Sequence, residues 1–240
     1  MRRLLPGPVA DPDLVTSFDS TGPHLRLSMV MSVDGSTTDE EGWTAHLGRA
    51  SDKQLLRALR GVADAILVGA GSIRTGRYPP HRPSPEFRAL RQAAGRPEFA
   101  PLVVVTAGGD LDWSLPAFTE ARTPTYVLTC ARARAIDLPA DQVLVHGDST
   151  VDLEAGLMDL RERLGLGAVL CEGGPGLAAE LLAADLVDEL VLSLAPSVLP
   201  GHNHRLVAGL ERRVELELSE IYEEDSQILL RYGVRSRDRG

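Results

Sequence analysis

Five short apolar runs constrain the fold most: residues 64–69 (DAILVG), 102–106 (LVVVT), 125–129 (TYVLT), 142–146 (QVLVH) and 168–171 (AVLC). They are too short for buried helices and lack the alternation of a strand with one wet face, so they read as strands covered on both faces. Five such strands need a common central sheet. Residues 24–33 (HLRLSMVMSV) supply an earlier strand, which ends in a tight turn at Asp34-Gly35.

Helical periodicity fills the intervals. Residues 51–60 (SDKQLLRALR) place Leu55, Leu56 and Leu59 on one face, with Ser51 and Gln54 as a capping pattern and Gly61 as the stop. Residues 151–164 space Leu153, Leu157, Leu160 and Leu164 by four, three and four, with Ser149 and Asp152 as the start signal, and a shorter helix is expected over 177–184. Period two then takes over at 186–196, at 213–220 and at 227–234, which suits antiparallel strands. The expectation is an α/β fold: a mixed β-sheet flanked by helices, with antiparallel C-terminal strands. Residues 78–97 hold five prolines among arginines and read as a long loop. With no repeat or internal boundary in view, residues 1–23 read as an N-terminal extension and 24–240 as one domain.

Composition narrows the function classes. A net charge of −9 works against a phosphate-backbone partner, so no nucleic acid is expected. No apolar run is long enough to span a bilayer, and Pro6, Pro8 and Pro12 interrupt the start before a signal-peptide core can form, so no membrane partner and a cytoplasmic location are expected. Cys130 and Cys171 end apolar runs and read as buried thiols; His202-Asn203-His204 has no companion ligands at a familiar spacing, so no metal is expected.

Three places carry candidate chemistry. Gly173-Gly174-Pro175-Gly176 follows a buried strand and opens a helix, which aims unpaired N–H groups at a phosphate; a tight connection accounts for the same residues. Glu172 beside it is a carboxylate at the end of a buried strand, a costly placement unless it binds something. Gly69-Ala70-Gly71-Ser72-Ile73-Arg74 begins like a dinucleotide fingerprint but has Arg74 where a third glycine would stand. It reads either as backbone and hydroxyl donors around a cofactor, with Arg74 on a 2′-phosphate, or as a packed turn with a solvated arginine. Asp34 reads as a substrate contact or simply as part of its turn.

Taken in order, LSMVMSVDG (27–35), LRGVADAILVGAGSIR (59–74) and VLCEGGPGLAAELLAADLVDELVLSLAPSVL (169–199) resemble the RibD C-terminal reductase family, which has a dihydrofolate-reductase-like fold. The resemblance implies an NADPH-dependent oxidoreductase and a homodimer built partly through the late strands. Its substrate would be a phosphorylated aminopyrimidine, 5-amino-6-(5-phosphoribosylamino)uracil of riboflavin biosynthesis. Residue by residue, it implies that the backbone of Met31 meets the nicotinamide, that Gly69, Ala70, Gly71 and Ser72 line the cofactor, and that Thr106 meets its adenosine side. Gly173, Gly174, Pro175, Gly176 and Leu177 would hold the pyrophosphate, Asp34 and Glu172 would face the substrate as catalytic groups, and Arg60 would stand near its phosphate. The chain departs from the family's pattern at Ser28, where many members have lysine, at Trp43-Thr44-Ala45-His46-Leu47, and over 74–80 (RTGRYPP). These departures keep two alternatives open: an NADPH-dependent reductase of a dihydropterin or another small substrate, and a catalytically idle NADPH-binding dimer.

Overall fold

The computed structural model describes all residues except Thr21, Gly76, Arg77, 201–204 and 236–240. In chain order its elements are β1 (Arg2–Leu5), β2 (Val9–Ala10), α1 (Leu14–Phe18), β3 (His24–Ser32), α2 (Ala50–Val62), β4 (Ala65–Gly69), α3 (Ala70–Arg74), α4 (Pro85–Ala93) and β5 (Leu102–Val105). They continue with α5 (Pro116–Thr119), β6 (Tyr126–Thr129), a short 3-10 turn (Ala140–Gln142), β7 (Val143–Val145), α6 (Leu153–Leu164), β8 (Ala168–Cys171), α7 (Pro175–Ala183), β9 (Glu189–Ala195), β10 (Leu216–Glu224) and β11 (Gln227–Val234).

The strands form one sheet in the order β2-β1-β10-β11-β9-β3-β8-β4-β5-β6-β7. Every pairing from β9 through β3 to β7 is parallel, whereas β9 pairs β11, and β11 pairs β10, antiparallel. The five apolar runs are the strands β4 to β8. Their side chains alternate between two cores, which is why the runs have apolar centres without alternation: Leu67, Val103 and Leu128 bury with α6 and α7, while Ile66, Val68 and Val104 bury with Ile73 and Ala117 on the other face. The antiparallel half has a wet face, so β10 reads as charges alternating with apolar groups, and Leu216 and Leu218 stay exposed.

Three expectations need correction. Residues 1–23, read as an extension, are built into the domain: β1 pairs β10, and Leu14 and Phe18 of α1 bury against Leu55 and Leu59 of α2. Residues 78–97 are not all loop, because Ser84 caps α4 and Pro85 occupies its first turn, where no N–H is needed. Its Arg91 is fully buried and donates to the carbonyl oxygens of Arg60 and Pro97, so a proline-rich segment is held by backbone acceptors as well as by Phe87 against α2. Nor does Ser51 cap α2: the helix starts behind Arg49, Ser51 Oγ donates to Gln227 Oε1 at 3.0 Å, and Gly61 lies inside the helix, close against Phe87 of α4. Elsewhere α6 starts at Asp152, whose side chain accepts from Ala155 N–H, and ends at left-handed Gly165. Cys130 and Cys171 are buried free thiols, and His202-Asn203-His204 lies outside the described residues.

Gly156 shows how closely the parallel half is packed. A Cβ there would stand 2.4 Å from Leu128 Cδ1, so α6 meets β6 only because a side chain is missing. Gly156→Val should therefore destabilise the protein by about 1–3 kcal/mol. Urea unfolding checks this; an unchanged midpoint would contradict the packing described.

Candidate active site

The crevice arises from strand lengths. β8 stops at Cys171 beside Leu27, but β3 continues to Ser32, so, among the described residues, 28–32 of β3 pair only with β9. Two crossovers leave this place in opposite directions. The connection through α2 carries β3 past β8 to β4, and α7 carries β8 past β3 to β9. The helices lie on opposite faces, α2 over Leu170 and α7 over Val169 and Cys171. Such a switch point opens a crevice outside the carboxyl ends of the strands, where open α/β sheets bind ligands.

Both glycine-rich turns border it. Gly69, at the end of β4, donates its N–H to the carbonyl of Gly173, just past β8, at 2.9 Å. A Cβ on Gly69 would sit 3.5 Å from that of Leu177, one on Gly174 would sit 3.3 Å from Ser72 Oγ, and one on Gly173 would meet Met29 Sδ at 2.6 Å. Gly173 also has φ +86°, a conformation glycine adopts without strain, and the Gly173–Gly174 peptide is cis. Gly174 then caps α7 without a side-chain acceptor, and Pro175 takes the first turn. A Cβ on Gly71 or on Gly176 would meet only open space. Among the described residues the first helical N–H groups of α7 therefore have no side-chain partner, and they stand beside the Ser72 hydroxyl, an arrangement suited to a phosphate.

The remaining expected residues lie around this centre. Met31 is on the overhanging part of β3, opposite Leu194. Asp34 is exposed at the exit of β3; its carboxylate accepts from Ser32 Oγ at 2.5 Å and from the Leu199 N–H at 3.3 Å, and the Ser32 bond chiefly holds it below the usual carboxylate range. Thr106 is buried past β5, where its hydroxyl oxygen accepts from Gly109 N–H and its carbonyl from Thr129 Oγ1. Arg74 is exposed and donates through Nε to the Asp110 carbonyl at 3.1 Å.

Arg60 and Glu172 are joined to each other rather than standing apart. Arg60 Nε and Nη2 each lie 2.6 Å from a different Glu172 oxygen, with side chains 16% and 8% exposed, and the Tyr78 hydroxyl donates to Glu172 at 2.9 Å. Burial alone would raise the Glu172 pKa, but the Arg60 charge and these hydrogen bonds outweigh it and hold the carboxylate ionised. Tyr78 was hidden in the stretch read as loop, and a lone tyrosine among prolines offers no periodicity to find it by. Asp52 was also missed. It stands two turns before Arg60 on α2, a spacing visible in sequence, and accepts from Ser193 Oγ at 2.5 Å.

Beside the pair, both ring nitrogens of His81 are buried without a hydrogen-bond partner among the described residues, and burial followed by repulsion from Arg60 pushes its pKa down from 6.5 to about 4. Between those values the unfolded chain binds more protons than the folded one. Stability should thus be fully present above about pH 6.5 and decline toward pH 4. Urea midpoints across that range should show a slope that His81→Gln flattens; parallel profiles would remove His81 as the cause.

Known proteins resemble this chain in sequence and in fold. The family model described as RibD C-terminal domain matches residues 23–230. The 2,5-diamino-6-ribosylamino-4(3H)-pyrimidinone 5′-phosphate reductase of Archaeoglobus fulgidus is 29% identical over 197 residues, 79% of this chain and 87% of its own length. A pyrimidine reductase-like protein from Corynebacterium diphtheriae superposes with a TM-score of 0.75 at 26% identity, covering 89% of this chain and 92% of that one. The riboflavin biosynthesis reductase Rib7 of Saccharomyces cerevisiae, at 15% identity, shares the fold with a TM-score of 0.67 over 95% of this chain and 93% of that one. A switch-point crevice bordered by two bonded glycine turns, on a chain matched from its third strand to its last, makes this protein a member of the RibD C-terminal domain family.

Proposed function

We propose that this chain is an NADPH-dependent reductase of a ribosylaminopyrimidine 5′-phosphate in riboflavin biosynthesis. The observation that carries the reading is the contact between the two glycine turns, where side chains on Gly173 or Gly174 would fill the space beside Met29 and Ser72. When bound, NADPH supplies the hydride. The residues fit it: the amides of Gly176 and Leu177 at the start of α7, with the Ser72 hydroxyl, would hold the pyrophosphate. Gly69, Ala70 and Gly71 would line its path, Thr106 the adenosine side, Arg74 a 2′-phosphate, and the free backbone edge at Met31 the nicotinamide.

Asp34 would orient the substrate from the crevice rim. Arg60 and Glu172 act as one paired unit at its base, so the phosphate contact assigned to Arg60 must coexist with a bidentate bond to Glu172. A homodimer would use the late strands, where Leu216 and Leu218 are 38% and 40% exposed. Among the described residues no helix is long and apolar enough to cross a membrane. The deaminated uracil expected from sequence and the diaminopyrimidinone named for the archaeal relative are both ribosylaminopyrimidine phosphates.

Oxidation of NADPH, followed by absorbance with each of these two compounds and with dihydrofolate, tests the reading. Turnover of a ribosylaminopyrimidine phosphate is expected; turnover of dihydrofolate alone would move the chain to a pterin-type substrate, and NADPH binding without any turnover would make it an idle binder. Asp34→Asn should lower kcat/KM about ten-fold or more, the scale of one hydrogen bond to a charged group, with NADPH affinity unchanged. Full activity in that variant would remove Asp34 from the site.

A further inference from the structure

Asp52 is a buried-side carboxylate that the site as described does not use. It lies in the first turn of α2, and Ser193, its hydrogen-bond partner, stands opposite Val30 in the β3–β9 register. Asp52 therefore sits over the stretch of β3 that outruns β8, on the same helix that carries Arg60 to Glu172. Only one of its oxygens has a partner: Oδ1 accepts from Ser193 Oγ, while Oδ2, close to Gly48, has none among the described residues. No arginine, lysine or histidine forms an ion pair with it there. The charged groups that bear on it are Lys53 on its own helix and Glu172 at the end of β8; β9 offers only the Ser193 hydroxyl. Glu172 has Arg60 as counter-ion, whereas Asp52 has a neutral hydroxyl.

We propose that Asp52 is a further catalytic residue, a proton donor to the nitrogen of the carbon–nitrogen double bond that is reduced. The inference rests on the reductase reading above. In the open-chain imine form of the ribosylamine, hydride from the dihydronicotinamide forms the new C–H bond at the former anomeric carbon. The π electrons of the C=N bond form a new N–H bond with the Asp52 proton. The products are the secondary amine, oxidised nicotinamide and the Asp52 carboxylate, which takes a proton from solvent before the next turnover. Burial, opposed by the Ser193 bond and aided by the negative charge of Glu172, raises the Asp52 pKa, so the neutral acid persists above the usual aspartate range.

The test compares wild type, Asp52→Asn and Asp52→Glu on the ribosylaminopyrimidine phosphate, with kcat followed against pH, NADPH affinity measured separately, and the carboxyl carbons of the ligand-free protein titrated by 13C NMR. In wild type kcat should fall as pH rises through the Asp52 pKa. Asp52→Asn should lose about 10²–10⁴-fold in kcat and lose that limb, Asp52→Glu should recover part of the rate, and NADPH affinity should stay unchanged. A carboxyl that titrates above the ordinary aspartate range should be present in wild type and shifted in Asp52→Glu, a readout independent of turnover and of how well Asp52→Asn folds. An active wild type beside an equally active Asp52→Asn, a loss confined to KM with the pH limb intact, or no such titrating carboxyl would each overturn the inference alone. A wild type that binds NADPH but reduces no ribosylaminopyrimidine would overturn the functional reading and this inference together.

Discussion

The hydrogen bond from Gly69 N–H to the Gly173 carbonyl joins the carboxyl ends of β4 and β8 at the point where chain direction reverses. Its own free energy is modest, about 1 kcal/mol for a neutral backbone pair. What it fixes is position. It sets the start of α7 against the Ser72 hydroxyl, at a distance that a side chain on Gly174 would encroach upon. The length of β3 beyond β8, the opposite crossovers of α2 and α7, and the packing of Leu177 under Gly69 all converge on this contact.

Around it the protein arranges two carboxyl groups in opposite ways. Glu172 is surrounded by a bidentate arginine and a tyrosine hydroxyl and stays ionised; Asp52 faces a serine and is pushed toward its neutral form. Pairs of titratable groups driven apart by their surroundings are how one site carries both a fixed charge and a transferable proton. The Arg60–Glu172 pair is expensive to desolvate and adds little net stability, but removal of one member would leave an uncompensated buried charge. Its value lies in holding the base of the crevice in one arrangement.

Most of the parallel sheet was legible in sequence because strands buried on both faces need apolar centres without alternation, which β4, β5, β6 and β8 have and the edge strand β7 shares. The glycine turns were legible as turns, though not as partners, since a hydrogen bond across about a hundred residues leaves no local pattern. The start of α2 was misplaced because Ser51 is committed to Gln227, a tertiary bond that overrides a local cap. Residues 1–18 and α4 were missed because their anchors are cross-strand pairs and a buried arginine rather than periodic leucines. Asp34 and Thr106 occupy the strand ends expected of them; the bond between Arg60 and Glu172, and the part played by Tyr78, were visible only in three dimensions.

The central claim is that the two bonded turns form the cofactor's phosphate site. It is tested most directly by the NADPH dissociation constant of Gly174→Val beside wild type, with the urea midpoint of each recorded. The account predicts at least a ten-fold weaker affinity, about 1.4 kcal/mol, at a midpoint close to wild type. NADPH bound with undiminished affinity by a folded Gly174→Val protein would contradict it and place the cofactor elsewhere.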